Sequence, residues 1–109
     1  MTNSVRDNPG QQRFAIVDEA DDVLGFADYS PDDGVIAITH TEVMPEHGGK
    51  GVGTSLIVGT LDILRARDEQ VLPVCPFVPA VIRDHPELLD LVPVDQRVRF
   101  GLPDAPEPG

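Results

Sequence analysis

The chain has 109 residues, a length typical of one ordinary domain. Hydrophobic residues make up 40% and charged residues 25%, which predicts a globular fold rather than a disordered chain. The 8 basic and 19 acidic residues give a formal net charge of −11. This acidity disfavours general binding to nucleic acids, which depends on clustered Lys and Arg, and adhesion to anionic membranes.

Features that would direct the chain out of the cytoplasm are not evident in the sequence. No apolar run approaches the roughly 20 residues of a membrane helix, and the N-terminal residues lack the pattern of a signal peptide. The single cysteine cannot form an internal disulfide. We therefore expect one cytoplasmic domain spanning residues 1–109, with flexible segments at about 1–11 and 101–109.

Three strand candidates come first in the chain. They are "RFAIVDE", "VLGFADYS" and "GVIAITHTEV", which are rich in β-branched and aromatic residues. The turn signals "EADD" and "SPDDG" separate them. The pattern predicts a meander of antiparallel strands.

The periodicity then changes to that of a helix from Val52 to about Asp68. A fourth strand, "VLPVC", follows, and Pro73 within it indicates an edge strand or a strand that parts from its neighbour, because proline cannot donate to a ladder. A second helix, "FVPAVIRDHPELLDLV", is broken before Pro86. The order β-β-β-α-β-α predicts an α+β fold with a mixed, mostly antiparallel sheet. The third and fourth strands are its parallel pair.

The strongest site signal is the loop "EHGGKGVGTSL", which follows a strand and opens a helix. Glycines let a ligand approach the backbone, and the first amides of a helix stabilise an anion such as a phosphate. Lys50 and Thr54 add side-chain donors. Neither the nucleoside-triphosphatase motif nor the dinucleotide fingerprint fits, because Gly51 follows Lys50 and no third glycine has the required spacing. A hinge that only caps the helix is the alternative. The glycines concerned are Gly48, Gly49, Gly51 and Gly53.

Three further side chains are candidates for chemistry. Strict alternation places His40 and Glu42 on one face of the third strand, together with Ile36 and Ile38. Either polar residue could act as a general base, or the two could form a structural hydrogen-bonded pair. Cys75, the only cysteine, is either a small buried hydrophobe or a thiol that faces a cleft.

Residues 40–92 resemble the short, single-domain members of the GNAT superfamily of acetyl-coenzyme A-dependent N-acetyltransferases. The resemblance lies in His-Thr-Glu-Val closing a strand, Gly-x-Gly-x-Gly opening a helix, then Pro-x-Cys-Pro-Phe and His-Pro-Glu. It implies that the amides of residues 48–54, Val52 included, bind the pyrophosphate of coenzyme A. The pantetheine arm would follow Val43 and Met44 where the parallel strands splay, and the thioester would lie close to Cys75.

The sequence departs from the superfamily pattern in three places. Gly48 stands where the superfamily usually has Gln or Arg, and Val81 stands where a tyrosine often protonates the leaving thiolate. The helices that precede the sheet in longer relatives are not predicted here.

The resemblance implies an acetyl-coenzyme A-binding N-acetyltransferase that transfers acetyl to an amine on a small molecule or a protein. Cys75 would be the proton donor or the nucleophile, and Glu42 or His40 would be the base for the amine. The alternative is a coenzyme A-binding module without turnover that acts through a protein partner, and the valine at position 81 favours it.

Overall fold

The structure, a computed structural model, describes residues 3–47 and 51–103. Five strands form one sheet in which the spatial order follows the chain. The strands are β1 (Ser4–Asn8), β2 (Arg13–Val17), β3 (Val23–Asp32), β4 (Val35–Val43) and β5 (Gln70–Leu72).

Helical segments occupy most of the second half of the chain. The α-helices are α1 (Val52–Ala66), α2 (Phe77–Asp84) and α3 (Val94–Arg97), and the 3₁₀ segments are Pro45–His47, Pro86–Leu91 and Val98–Phe100. The predicted second helix therefore ends before Pro86, as expected. Within the described parts of the chain, no helix combines the length and apolar character needed to cross a bilayer.

The predicted mixed sheet is confirmed. Strands β1 to β4 pair antiparallel, and β4 pairs with β5 in parallel. The parallel ladder contains only three pairs, from Val35 with Gln70 to Ala37 with Leu72. It ends one residue before Pro73, whose ring nitrogen has no hydrogen to donate.

Strand β1 is the main departure from the predicted element order. The expectation that residues 1–11 are flexible is wrong for Ser4–Asn8, which pairs along its whole length with β2. Val5 packs directly on α1 at Gly59, where an added Cβ would lie 2.5 Å from Val5 Cγ2. The ladder with β2 and the contact of Val5 with α1 therefore join this polar strand to the sheet.

One face of the sheet and the buried stripe of α1 form the core. The stripe has the predicted helical spacing, and its fully buried members include Leu56, Leu61 and Leu64. Phe14, Ile16 and Ile38 meet it from the sheet. Burial of large aliphatic side chains at about 1.5–3 kcal/mol each supplies the main driving force for this packing.

A buried tyrosine links β1, β3 and the end of α1. The Tyr29 hydroxyl donates to Asp7 Oδ1 at 2.7 Å, and Arg67 Nη1 donates to Asp7 Oδ2 at 2.8 Å. Burial of the phenol, followed by its hydrogen bond to Asp7, raises the pKa of Tyr29 to about 12. The link therefore favours the protonated phenol.

We expect the free energy of unfolding to decrease at alkaline pH because of this hydrogen-bonded tyrosine. Because the folded-state pKa is raised, the contribution of Tyr29 is complete below pH 10 and is lost as the pH rises from 10 to 12. At pH 11 the free energy of unfolding should have fallen by about 1.4 kcal/mol relative to neutral pH. Tyr29→Phe should remove this component of the pH dependence, as measured by urea unfolding at several pH values.

A direct titration can contradict this expectation. The chain has one tyrosine and no tryptophan, so near-ultraviolet absorbance reports ionisation of Tyr29 alone. A tyrosinate signal that appears with a midpoint near pH 10 in the folded protein would show that the link does not shift the pKa.

Candidate functional site

The C-terminal half of β4 has a free edge. Beyond the three parallel pairs, the Cys75 amide donates to the Ile38 carbonyl at 2.8 Å. From Thr39 to Val43, β4 pairs with β3 on one side, and no described strand pairs with it on the other. The predicted splaying of the parallel strands is thus present as a gap between this edge and the segment that follows β5.

A β-bulge in β4 changes which residues face the core. Tyr29 pairs with Ile38 but the preceding residue, Asp28, pairs with His40, so Thr39 is an extra residue in β4. The Thr39 hydroxyl donates to the Asp28 carbonyl at 3.4 Å. An extra residue reverses the alternation that follows it. The prediction that His40 and Glu42 share a face with Ile36 and Ile38 is therefore wrong.

His40 and Glu42 lie instead on the outer face of the sheet, away from α1, and both are exposed. They stand opposite Asp28 and Phe26 of β3. The Phe26 ring is half-buried, and the centroids of the Phe26 and His40 rings are 6.2 Å apart.

Arg13 covers part of this outer face. Its guanidinium lies 3.9 Å from the centroid of the Phe26 ring, and its Nε donates to Asp28 Oδ1 at 2.8 Å. Glu42 makes no ion pair with any residue in the described ranges. Its carboxylate is thus available to a cationic group that approaches from outside the sheet.

Helix α1 begins at the predicted glycine loop. Gly51 is its N-cap, with φ 73° in the left-handed region, and no side chain caps the helix. No acidic side chain lies in the first turn. An added Cβ at Gly51 would meet nothing within 4 Å among the described residues. The amides of Val52, Gly53 and Thr54 form the positive dipole end of α1, which is a favourable place for an anion.

Gly53 brings the free edge, the start of α1 and the start of α2 together. An added Cβ at this position would lie 2.8 Å from Phe77 Cζ and 3.4 Å from Val43 Cγ2. Only a glycine allows the Phe77 ring to pack this closely on the first turn of the helix. The glycine loop and the Cys75 segment are consequently neighbours in space.

Cys75 is 8% exposed and belongs to the core cluster on the α1 side of the sheet. Val74 and Phe77, on either side of it, are exposed large hydrophobic residues. The structure gives no hydrogen bond between Cys75 and His40 or Glu42. The thiol and the two polar side chains therefore flank the edge of β4 from opposite faces of the sheet, and the structure does not bring the three into contact.

Thr41 is a candidate site residue that the sequence analysis did not identify. It lies on the free stretch of β4, opposite the buried Ala27. Its Oγ1 is buried and has no hydrogen-bond partner among the described residues. Simple alternation placed this side chain outside, so only the bulge shows that it faces inward. A buried hydroxyl without a partner costs about 1–3 kcal/mol and calls for an explanation.

The remaining predicted cofactor residues divide into three groups. Val43 and Met44 are half-buried at the end of the free edge, and the Met44 amide donates to the Leu24 carbonyl at 2.9 Å. Val52 is buried in the first turn of α1, whereas Thr54 is exposed. Gly48, Gly49 and Lys50 lie outside the described residues.

The described site thus combines a mixed sheet, a gap beside one strand and the N-terminus of a helix without a side-chain cap. The family model for GCN5-related N-acetyl-transferase matches residues 13–91. The chain therefore belongs to the GCN5-related N-acetyltransferase family, in agreement with the resemblance seen in residues 40–92.

The comparison with a solved structure from Staphylococcus aureus agrees with this assignment. A GCN5-like putative N-acetyltransferase from Staphylococcus aureus has 25% sequence identity and a TM-score of 0.62, with 85% of this chain and 91% of that chain covered. A nourseothricin acetyltransferase has 29% identity and a TM-score of 0.41, over 54% of this chain and 36% of that chain. No curated protein matches the sequence.

Proposed function

We propose that the protein binds acetyl-coenzyme A and transfers its acetyl group to an amine. The observation that carries this proposal is the free edge of β4 beside the uncapped N-terminus of α1. The edge offers unpaired backbone groups to an extended ligand, and the helix end offers amides to its phosphates. Membership of an acetyltransferase family supports the same ligand.

The described residues fit coenzyme A in three ways. A Cβ added at Gly51 would have no described residue within 4 Å, which is compatible with a phosphate next to the amides of α1. Val74 and Phe77 provide exposed apolar surface along the gap. The unpartnered Thr41 hydroxyl supplies a donor and an acceptor on the inner side of the free edge. Acetyl-coenzyme A would supply the acetyl group as an activated thioester.

We assign the chemical roles of Cys75, Glu42 and His40 according to the face of the sheet on which each side chain lies. Cys75, on the core side, would donate a proton to the leaving thiolate or accept the acetyl group as a nucleophile. Glu42 and His40, on the outer face, would attract the acceptor ammonium and remove its proton. The acceptor would therefore approach from the outer face, which carries the Phe26 ring and the unpaired Glu42 carboxylate.

A second function, a coenzyme A-binding module without turnover, is favoured by one observation. Val81 stands where the family often has a tyrosine. It is a residue of α2 that is 4% exposed and packs in the hydrophobic core. It has no proton to donate. Under this alternative the cofactor binds in the same groove, which is the gap beside the free edge of β4 together with the start of α1. A protein partner then recognises the cofactor-bound form.

We expect calorimetric titration to show that acetyl-coenzyme A and coenzyme A bind one site with similar affinity, whereas ATP binds much more weakly. Only the coenzyme A ligands have the arm that would lie along the free edge. Saturating acetyl-coenzyme A should also raise the melting temperature by mass action. The absence of binding at millimolar acetyl-coenzyme A would remove both functions. Binding without acetyl transfer to any of a panel of amines would leave the second.

Thr41→Val tests whether the buried hydroxyl serves the ligand. Removing an unpaired hydroxyl at nearly constant volume should raise the free energy of unfolding of the unliganded protein by about 1 kcal/mol. If the ligand pairs with that hydroxyl, the affinity for acetyl-coenzyme A should fall about fivefold. Urea unfolding and calorimetry measure the two quantities.

Thr60→Val is the matched control. The Thr60 hydroxyl is also buried without a partner, but Thr60 lies on the core side of α1. This variant should gain similar stability and bind acetyl-coenzyme A as the unmodified chain does. Equal affinity in both variants would mean that Thr41 has no part in binding.

A further inference from the structure

A second pocket lies at the far end of α2 from the proposed groove. Its volume is about 450 Å³, within the range typical of small-molecule sites. Most of its lining is apolar, and the lining side chains are Ile82, Arg83, Pro86, Leu89, Leu102 and Pro103. Gly101, with φ 75°, completes it where the chain turns after the last 3₁₀ segment.

Among the described residues, Arg83 is the one charged residue in this lining, and no described carboxylate lines the pocket with it. Its Nη1 donates to the Gly101 carbonyl at a long 3.4 Å, and it forms no ion pair with the described residues. Arg6, Arg13, Arg65 and Arg67 each pair with a carboxylate, whereas Arg99 has no ion pair with the described residues and donates a hydrogen bond to Gln96. Arg83 differs from Arg99 because it lies beside an apolar pocket.

We propose that this pocket binds a small carboxylate with an apolar tail, such as a medium-chain fatty acid. The guanidinium presents several donors that match the two oxygens of a carboxylate. The aliphatic and proline side chains provide the surface on which a hydrocarbon tail is removed from water. A neutral apolar molecule would offer no carboxylate to Arg83. A polar anion without a tail would leave the apolar side chains of the lining exposed to water.

This site is separate from the proposed acetyl-coenzyme A groove. The groove meets α2 at Phe77, whereas the pocket meets it at Ile82 and Arg83. A rise of 1.5 Å per residue puts Phe77 and Arg83 about 9 Å apart along the helix. Occupation of the two sites can therefore be measured independently.

NMR titration with butanoate, hexanoate and octanoate tests the proposal, with octan-1-ol as the uncharged comparison. Octanoate should saturably shift the amide signals of Leu89 and Leu102, with affinity rising up to about fourfold per methylene along the series. Octan-1-ol should bind at least about tenfold more weakly, because a hydrogen bond to a charged group is lost.

Arg83→Gln should lower the octanoate affinity to that of octan-1-ol, and Arg99→Gln, which removes an exposed arginine outside the pocket, should leave it unchanged. Equal affinities for acid and alcohol, equal affinities in the two variants, or no saturable shift at these amides would overturn the proposal. Octanoate binding only after deletion of residues 104–109 would identify the chain's own end as the occupant and overturn it as well. Acetyl-coenzyme A affinity, measured on the same Arg83→Gln sample, should not change.

Discussion

Cys75→Ala is expected to lower the turnover number for acetyl transfer by about 10²- to 10⁴-fold, the usual contribution of a positioned proton donor or acceptor. The affinity for acetyl-coenzyme A should stay nearly constant, because the proposed phosphate contacts lie at α1. Cys75→Ser should retain intermediate activity if a proton donor is needed, since serine keeps an O–H group. Steady-state kinetics and calorimetry on the same samples separate these effects.

Two measurements on the unmodified chain distinguish the possible roles of the thiol. Because Cys75 is the only cysteine, alkylation stoichiometry reports this residue alone. At 8% exposure it should react slowly, and acetyl-coenzyme A should slow it further. Mass spectrometry should detect an acetyl group on Cys75, discharged on addition of an amine, if the thiol is the nucleophile. Full turnover by Cys75→Ala would show that the thiol is only a core residue.

Gly51→Val should weaken acetyl-coenzyme A binding by about 100-fold or more, because its side chain would enter the space in front of the first amides of α1. A β-branched residue at φ 73° is also strained, at a cost of about 1–2 kcal/mol in the free energy of unfolding. Calorimetry should show the lost affinity and urea unfolding the lost stability.

Gly34→Val separates these two effects. Gly34 has φ 83°, and an added Cβ there also meets nothing within 4 Å, but it lies in the turn between β3 and β4. Its loss of stability should match that of Gly51→Val, while its affinity for acetyl-coenzyme A should be unchanged. Similar weakening of binding in both variants would show that the helix N-terminus is not the phosphate site.

Much of the site could be located from the sequence because its signals are local. Glycines between a strand and an apolar periodic segment predict the exposed start of a helix, and Gly51 is that N-cap. Pro73 predicts a break in pairing because proline lacks the hydrogen that the ladder needs, and the parallel ladder ends at Leu72, although the predicted strand continued to Cys75. These inferences require no knowledge of distant parts of the chain.

The bulge at Thr39 could not be predicted in this way. A bulge is a mismatch in register between two paired strands, so it cannot be predicted from the residues of β4 alone. It moves His40 and Glu42 to the outer face and turns Thr41 inward. The face of the sheet on which each of these three residues lies therefore depends on the bulge.

The sequence by itself determined the order of most elements and the helix opening at Gly51, because backbone preferences of glycine and proline and the spacing of apolar residues act locally. Only the tertiary structure decided that Ser4–Asn8 joins the sheet and that Phe77 packs on Gly53. It also decided that Cys75 and the pair of His40 and Glu42 flank β4 from opposite faces. These arrangements arise from contacts between residues that are far apart in the chain. A local sequence pattern does not show which distant residues will pack together or how much free energy their contact contributes.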